Sequence, residues 1–140
     1  MRRGEIWWAR VPMRGATAKR RLMLVVSDDA FNANERYAKV LVVHLTSAGR
    51  LGRDFDWEVT LPKGTAGLQR ASIVKCAEIY TLWKEQLQGP AATLPAPVMR
   101  RVDSALMIAL GLPPALKARF GDAAPCPGVA PPGAIQCPTA

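Results

Sequence analysis

Histidine occurs once in this 140-residue chain, at His44, and cysteine three times, at Cys76, Cys126 and Cys137. One imidazole rules out a multi-histidine metal centre. Three cysteines without a Cys-x-x-Cys spacing describe neither a zinc site nor a disulfide framework. That usage fits a reducing cytoplasm. Chemistry therefore falls to other groups. Arg21 heads one apolar run and Thr46-Ser47 closes another. A guanidinium offers permanent charge and a rigid fork of donors, and a hydroxyl adds one more donor. Held together, they suit the oxygens of a phosphodiester.

The charge distribution points the same way. The chain carries a formal net charge of +8. Residues 1–27 supply +6 of it, through Arg2, Arg3, Arg10, Arg14, Lys19, Arg20 and Arg21 against the single acid Glu5. Such asymmetry suggests a surface that meets a polyanion, although a basic face kept for solubility has the same composition. At 49% hydrophobic residues the chain can bury a core. Its apolar runs are all shorter than a membrane span, and no secretion signal opens it.

The elements that must position these groups are mostly strands. Gly4–Arg10 reads as a strand, followed by a basic loop over Val11–Arg20. Arg21–Ser27 and Lys39–Thr46 are continuous apolar runs of strand length, which implies burial on both faces. Asp28–Asn34 is a turn or one short helical turn. Ser47–Asp56 is a polar loop, Trp57–Leu61 a short strand, and Ala71–Leu82 one or two more. Gly89-Pro90 reads as a breaker. Val98, Val102, Ala105, Leu106 and Ala109 then fall on one face of a helix that Gly111 and Pro113-Pro114 terminate. Five or six short antiparallel strands closed by a C-terminal helix suggest a small, strongly bent barrel or a half-open sheet.

Strand order alone gathers the candidate site. If the first three strands are neighbours running up, down and up, Arg10, Lys19, Arg20 and Arg21 meet Thr46 and Ser47 at one end of the sheet. Loops carrying Arg14, Arg50 and Arg53 overhang the same edge. The result is a basic groove fit for a single-stranded nucleic acid. The plain alternative is a β-branched strand end beside an edge charge.

The motifs then resemble a known family. Arg3-Gly4-Glu5-Ile6-Trp7 is similar to the RGEIW opening of the MazF/PemK toxin endoribonucleases. Arg21-Leu22-Met23-Leu24-Val25-Val26-Ser27-Asp28-Asp29, with Asn32, resembles their RPVLVVSND segment, and Val42-Val43-His44-Leu45-Thr46-Ser47 their VVPITS strand. Gly67-Leu68, Ser72-Ile73-Val74 and Cys76–Leu82 resemble GL…SVALCDQIRTV. Val102–Leu106 and Leu110-Gly111-Leu112 resemble the closing VDRAL…LGL. The resemblance covers residues 2–112 in order. It implies a mainly β, SH3-like small barrel with a C-terminal α-helix, forming a homodimer. It implies cleavage of single-stranded RNA (mRNA) without metal or other cofactor, by attack of the ribose 2′-OH on the phosphodiester, and neutralisation by a cognate antitoxin. The family's functional arginine falls on Arg21 and its functional threonine on Thr46.

Two departures matter. The proline that follows the family's arginine is Leu22 here, and the first long loop, Val11–Arg20, holds no carboxylate. The general base is therefore open. His44 is one candidate, because strand alternation puts it on the face of Thr46 and an unperturbed imidazole titrates near 6.5. Glu78 is a second. Their structural alternatives are a packed strand residue and a salt bridge within the sheet. Arg14, Lys19, Arg20, Ser47, Arg50 and Arg53 are candidate RNA contacts. Of Trp7, Trp8, Trp57 and Trp83, most are expected in the core and one or two against a ligand or partner.

Two segments follow. Residues 1–112 form the barrel domain. Residues 113–140 hold seven of the twelve prolines and read as a largely disordered tail. Two competing functions remain: a non-catalytic toxin or binding module of the same barrel, as in gyrase poisons, and an inactive nucleic-acid-binding relic.

Overall fold

The structure is a computed structural model that describes residues 1–12, 15, 17–48 and 55–113. Six strands carry it: β1 (Glu5–Val11), β2 (Lys19–Val25), β3 (Lys39–Ser47), β4 (Glu58–Leu61), β5 (Ser72–Trp83) and β6 (Leu87–Thr93). Two helices join them: α1 (Asp29–Ala33), between β2 and β3, and α2 (Ala96–Ala109), after β6. The strands form one sheet in the order β4-β5-β3-β2-β1-β6, with antiparallel neighbours throughout. The expected arrangement of the first three strands is therefore the one found. The tail and its cysteines lie outside the described residues, apart from Pro113.

Both faces of the central strands are covered, which accounts for their unbroken apolar sequence. On one face Ile6, Leu24, Val43, Leu45, Val74 and Cys76 pack beneath Val102, Ala105 and Leu106 of α2. On the other, Ala9, Met23, Val25, Val40 and Val42 pack with Leu82 and Leu87. Burial raises the Cys76 thiol pKa to about 11, so it serves as a small apolar side chain.

Helix α2 ends as its sequence requires. Gly111 takes φ 67°, the Gly111 N–H donates to the Ile108 carbonyl, and the Leu112 N–H donates to the Met107 carbonyl at 2.9 Å. That crossed pair satisfies two carbonyls that the helix leaves open. Arg3 forms an ion pair with Asp103, tying the chain start to the helix. Among the described residues no helix is long and apolar enough to cross a membrane.

Two features differ from the sequence expectation. Gly89-Pro90 does not interrupt the sheet but lies within β6, opposite Trp7. A strand at the sheet's end tolerates a proline because its outward side needs no N–H. Ala71–Leu82, read as one or two strands, gives one, β5, interrupted by a bulge. The tryptophans are not core residues: Trp57 and Trp83 are 39% and 49% exposed, and Trp7 and Trp8 are half-buried. Each large ring has a partner at the surface. Trp7 Nε1 donates to Glu5 at 2.9 Å, Phe55 stacks on Trp57 at 4.9 Å, and cations sit over Trp8 and Trp83.

Candidate active site

Arg21 lies opposite Ala9 on β1. On its other side, β2 pairs with β3 through Leu22 and Leu45, and Arg21 and Thr46 are the next residues along that register. The two side chains share one sheet face with Met23 and His44, which are themselves opposite one another. A cleft of about 280 Å³ opens there, lined by Trp8, Arg20, Arg21, Leu22, His44, Leu45, Thr46, Ser47 and Ser72.

Arg21 is half-buried, and its Nε is fully shielded with no hydrogen-bond partner among the described residues. A shielded charged donor left unpaired costs at least about 1–3 kcal/mol, a deficit that an incoming anion would remove. Arg20 is held at the cleft wall by its guanidinium, 4.5 Å from the centre of the Trp8 ring.

His44 is buried in the sheet. Its Nδ1 stands 3.5 Å from Glu78 Oε2. A register shift creates that contact. Val43 faces Ile79 while His44 faces Lys75, so Cys76, Ala77 and Glu78 have no partners on β3. The three-residue bulge turns Glu78 back onto the imidazole. Burial pushes the His44 pKa below its ordinary value; the Arg21 charge works in the same direction, and Glu78 opposes both. The imidazole is consequently neutral at pH 7. Lys75, the next residue in this row, is neutralised by Glu58 at 2.8 Å, which raises its pKa.

Arg20, Arg21, His44, Thr46 and Ser47 thus meet in one cleft, and Glu78 reaches it through His44. Lys19 is exposed at the start of β2 and does not line the cleft. Arg14, Arg50 and Arg53 lie outside the described residues. Leu22, Leu45 and Ser72 also line the cleft without having been singled out as site residues in the sequence. Ser72 lies in a segment notable only for its resemblance, and Trp8, named as a possible ligand-facing ring, is not distinguished there from Trp7. Among the described residues no group of three or more His, Cys, Asp or Glu side chains is arranged to hold a metal ion.

Comparison with known proteins adds independent information. Residues 2–110 match the model of a family described as PemK-like, MazF-like toxin of type II toxin–antitoxin system. The chain is 38% identical over 112 residues to the endoribonuclease MazF2 of Mycobacterium bovis, covering 79% of this chain and 96% of that one. Identity and coverage are the same for the endoribonuclease MazF6 of Mycobacterium tuberculosis. Among solved structures, a mycobacterial endoribonuclease in complex with its cognate antitoxin superposes with a TM-score of 0.66 at 26% identity, covering 81% of this chain and 97% of that one. The MazE–MazF complex of Deinococcus radiodurans shares the fold at TM-score 0.64 and 23% identity, with 81% and 97% covered.

Proposed function

This chain belongs to the PemK-like, MazF-like toxin family of type II toxin–antitoxin systems, and on that premise we propose that it cuts single-stranded RNA in the cleft holding Arg21 and Thr46. It is an endoribonuclease toxin with a mainly β fold. The catalytic apparatus is confined to residues 1–112.

The scissile phosphate enters beside Arg21. The ribose 2′-OH gives its proton to His44 Nε2, and its oxygen bonds to phosphorus. The bond from phosphorus to the 5′-oxygen breaks, and that oxygen takes a proton from water. The products are a 2′,3′-cyclic phosphate and a free 5′-OH. Arg21 and Thr46 donate to the non-bridging oxygens, where charge grows in the transition state. With a pKa above about 12, Arg21 serves as an electrostatic donor rather than a proton carrier. Glu78 accepts from His44 Nδ1–H and thereby fixes the tautomer that leaves Nε2 free. The nucleophile belongs to the substrate and Arg21 supplies the positive charge, so this scheme calls on no metal.

One observation carries the reading: Arg21, with its shielded and unpaired Nε, adjoins Thr46 and neutral His44 in one cleft. The chain works as a cytoplasmic homodimer restrained by a cognate antitoxin, whose acidic segment would compete with RNA for the basic cleft. Incubating a long single-stranded RNA with the protein in EDTA tests it. Wild type should cut, and folded Arg21→Ala should be slower by at least about 100-fold. Intact RNA after prolonged exposure to wild type, free of antitoxin, would refute it.

A further inference from the structure

A second, larger cleft of about 530 Å³ adjoins the first and shares Trp8, Leu22, Ser47 and Ser72 with it. It lies between the end strand β6 and the turn that follows β4. Ala91 of β6 forms one side, and the turn Thr65–Gly67 with the residues after it forms the other. Ala66 holds φ 51° within that turn, a left-handed conformation that side chains other than glycine rarely adopt. The turn delivers Leu68, Gln69 and Arg70 to the cleft in succession. Leu68 is buried, whereas Gln69 and Arg70 are exposed and, among the described residues, their side chains have no hydrogen-bond or ion-pair partner.

We propose that this cleft is a base-binding subsite. It takes one unpaired nucleobase of the RNA strand, the base next to the phosphate held by Arg21, and Gln69 reads its edge. The inference rests on the endoribonuclease reading and extends it to sequence choice. Three features carry it. The cleft is continuous with the phosphate site, so a nucleotide can place its phosphate in one and its base in the other. Trp8 and Leu22 line both clefts, and with Leu68 they supply the apolar surface that an unstacked base requires. The Gln69 amide brings a donor and an acceptor to the rim, the pair needed to distinguish one base edge from another. Arg70 beside it meets the next phosphate along the strand.

The test uses the full-length protein and a pool of single-stranded RNA with randomised sequence, cut by wild type, Gln69→Ala and Gln69→Glu and read by sequencing the new 5′ ends. In wild type, one position adjoining the cut should show a base preference. Gln69→Ala should flatten it by at least about fivefold, and Gln69→Glu should redirect it, because an acceptor replaces the amide donor. Gln69 is exposed, and circular dichroism should report an unchanged fold. A companion measurement uses an uncleavable strand with 2′-deoxyribose at the cut. Removing the adjoining base should weaken binding to wild type but much less to Gln69→Ala. Identical preference profiles for wild type and both variants would overturn the subsite while the endoribonuclease reading stood. So would substitutions that alter affinity for the antitoxin alone. Failure of wild type to cut any RNA would remove the reading beneath it.

Discussion

His44 presents Nδ1 to the Glu78 carboxylate at 3.5 Å, and no other carboxylate contacts that ring among the described residues. The pair has a definite pH signature. Burial and the Arg21 charge depress the His44 pKa below about 6.5, with Glu78 pulling the other way. A base must be unprotonated, so cleavage should rise as pH climbs through this depressed value and level off above it. Glu78→Gln removes the one influence that raises the pKa, so the acid limb should move to lower pH. His44→Ala should abolish the limb and slow single-turnover cleavage by about 100-fold or more. An acid limb that keeps its midpoint in both variants would dismiss the pair.

The same imidazole links pH to stability. The unfolded chain binds a proton near pH 6.5, and the folded chain only at lower pH. The contribution of neutral His44 is complete above about pH 6.5 and is lost as pH falls toward its folded value. Denaturation midpoints measured from pH 7.5 to 5 should decline more steeply for wild type than for His44→Ala.

Arg21 and Thr46 should differ in what replaces them. Arg21→Lys keeps a charge but loses the shielded Nε–H and the rigid fork, so it should recover little of the 100- to 1000-fold loss expected for Arg21→Ala. Thr46→Ser keeps the hydroxyl and should retain most activity, whereas Thr46→Val should not. Measured kcat with unchanged circular dichroism decides it, and an active Thr46→Val would exclude the hydroxyl from the chemistry.

A buried polar knot holds α1 against the sheet. Ser27 donates to the side-chain oxygen of Asn32, Asn32 Nδ2 donates to the Ser27 carbonyl at 2.9 Å, and the Leu41 N–H donates to Ser27 Oγ at 3.1 Å. Asn32→Ala strips partners from shielded groups and should cost about 1–3 kcal/mol in urea unfolding. A loss below about 0.5 kcal/mol would mean that water replaces the amide.

Leu24 is wholly buried between β2 and α2. Leu24→Ala should lower stability by about 2–5 kcal/mol. Cleavage at low temperature should survive, since the residue faces away from Arg21; a lost site with intact stability would contradict this assignment of faces.

The juxtaposition of Arg21 with Thr46 was legible in the sequence because hairpin connectivity and two-residue alternation fix it almost geometrically. Helix α2 was legible as well, since Val102, Ala105 and Leu106 repeat at helical spacing and Gly111 supplies the stop. β6 was hidden because Gly89-Pro90 is incompatible with a central strand but not with an outer one, and local sequence does not say which a strand will be. The approach of Glu78 to His44 was hidden for a different reason. Strict pairing along β5 would not produce it, and a bulge depends on the sheet's curvature rather than on any residue type. Trp57 and Trp83 misled because ring size suggests burial, whereas each found a stacking or cationic partner at the surface.

The bulge at Cys76–Glu78 also separates two inheritances. Three residues there face none on β3, and beyond the core residue Cys76 the exposed pair Ala77–Glu78 can gain or lose a residue without realigning the β3–β5 rows on either side. A small insertion or deletion at Ala77–Glu78 would part Glu78 from His44 while leaving those rows in place. On the proposed mechanism, a lineage carrying this toxin could thereby blunt its potency in single genetic steps and keep a protein that its antitoxin still grips.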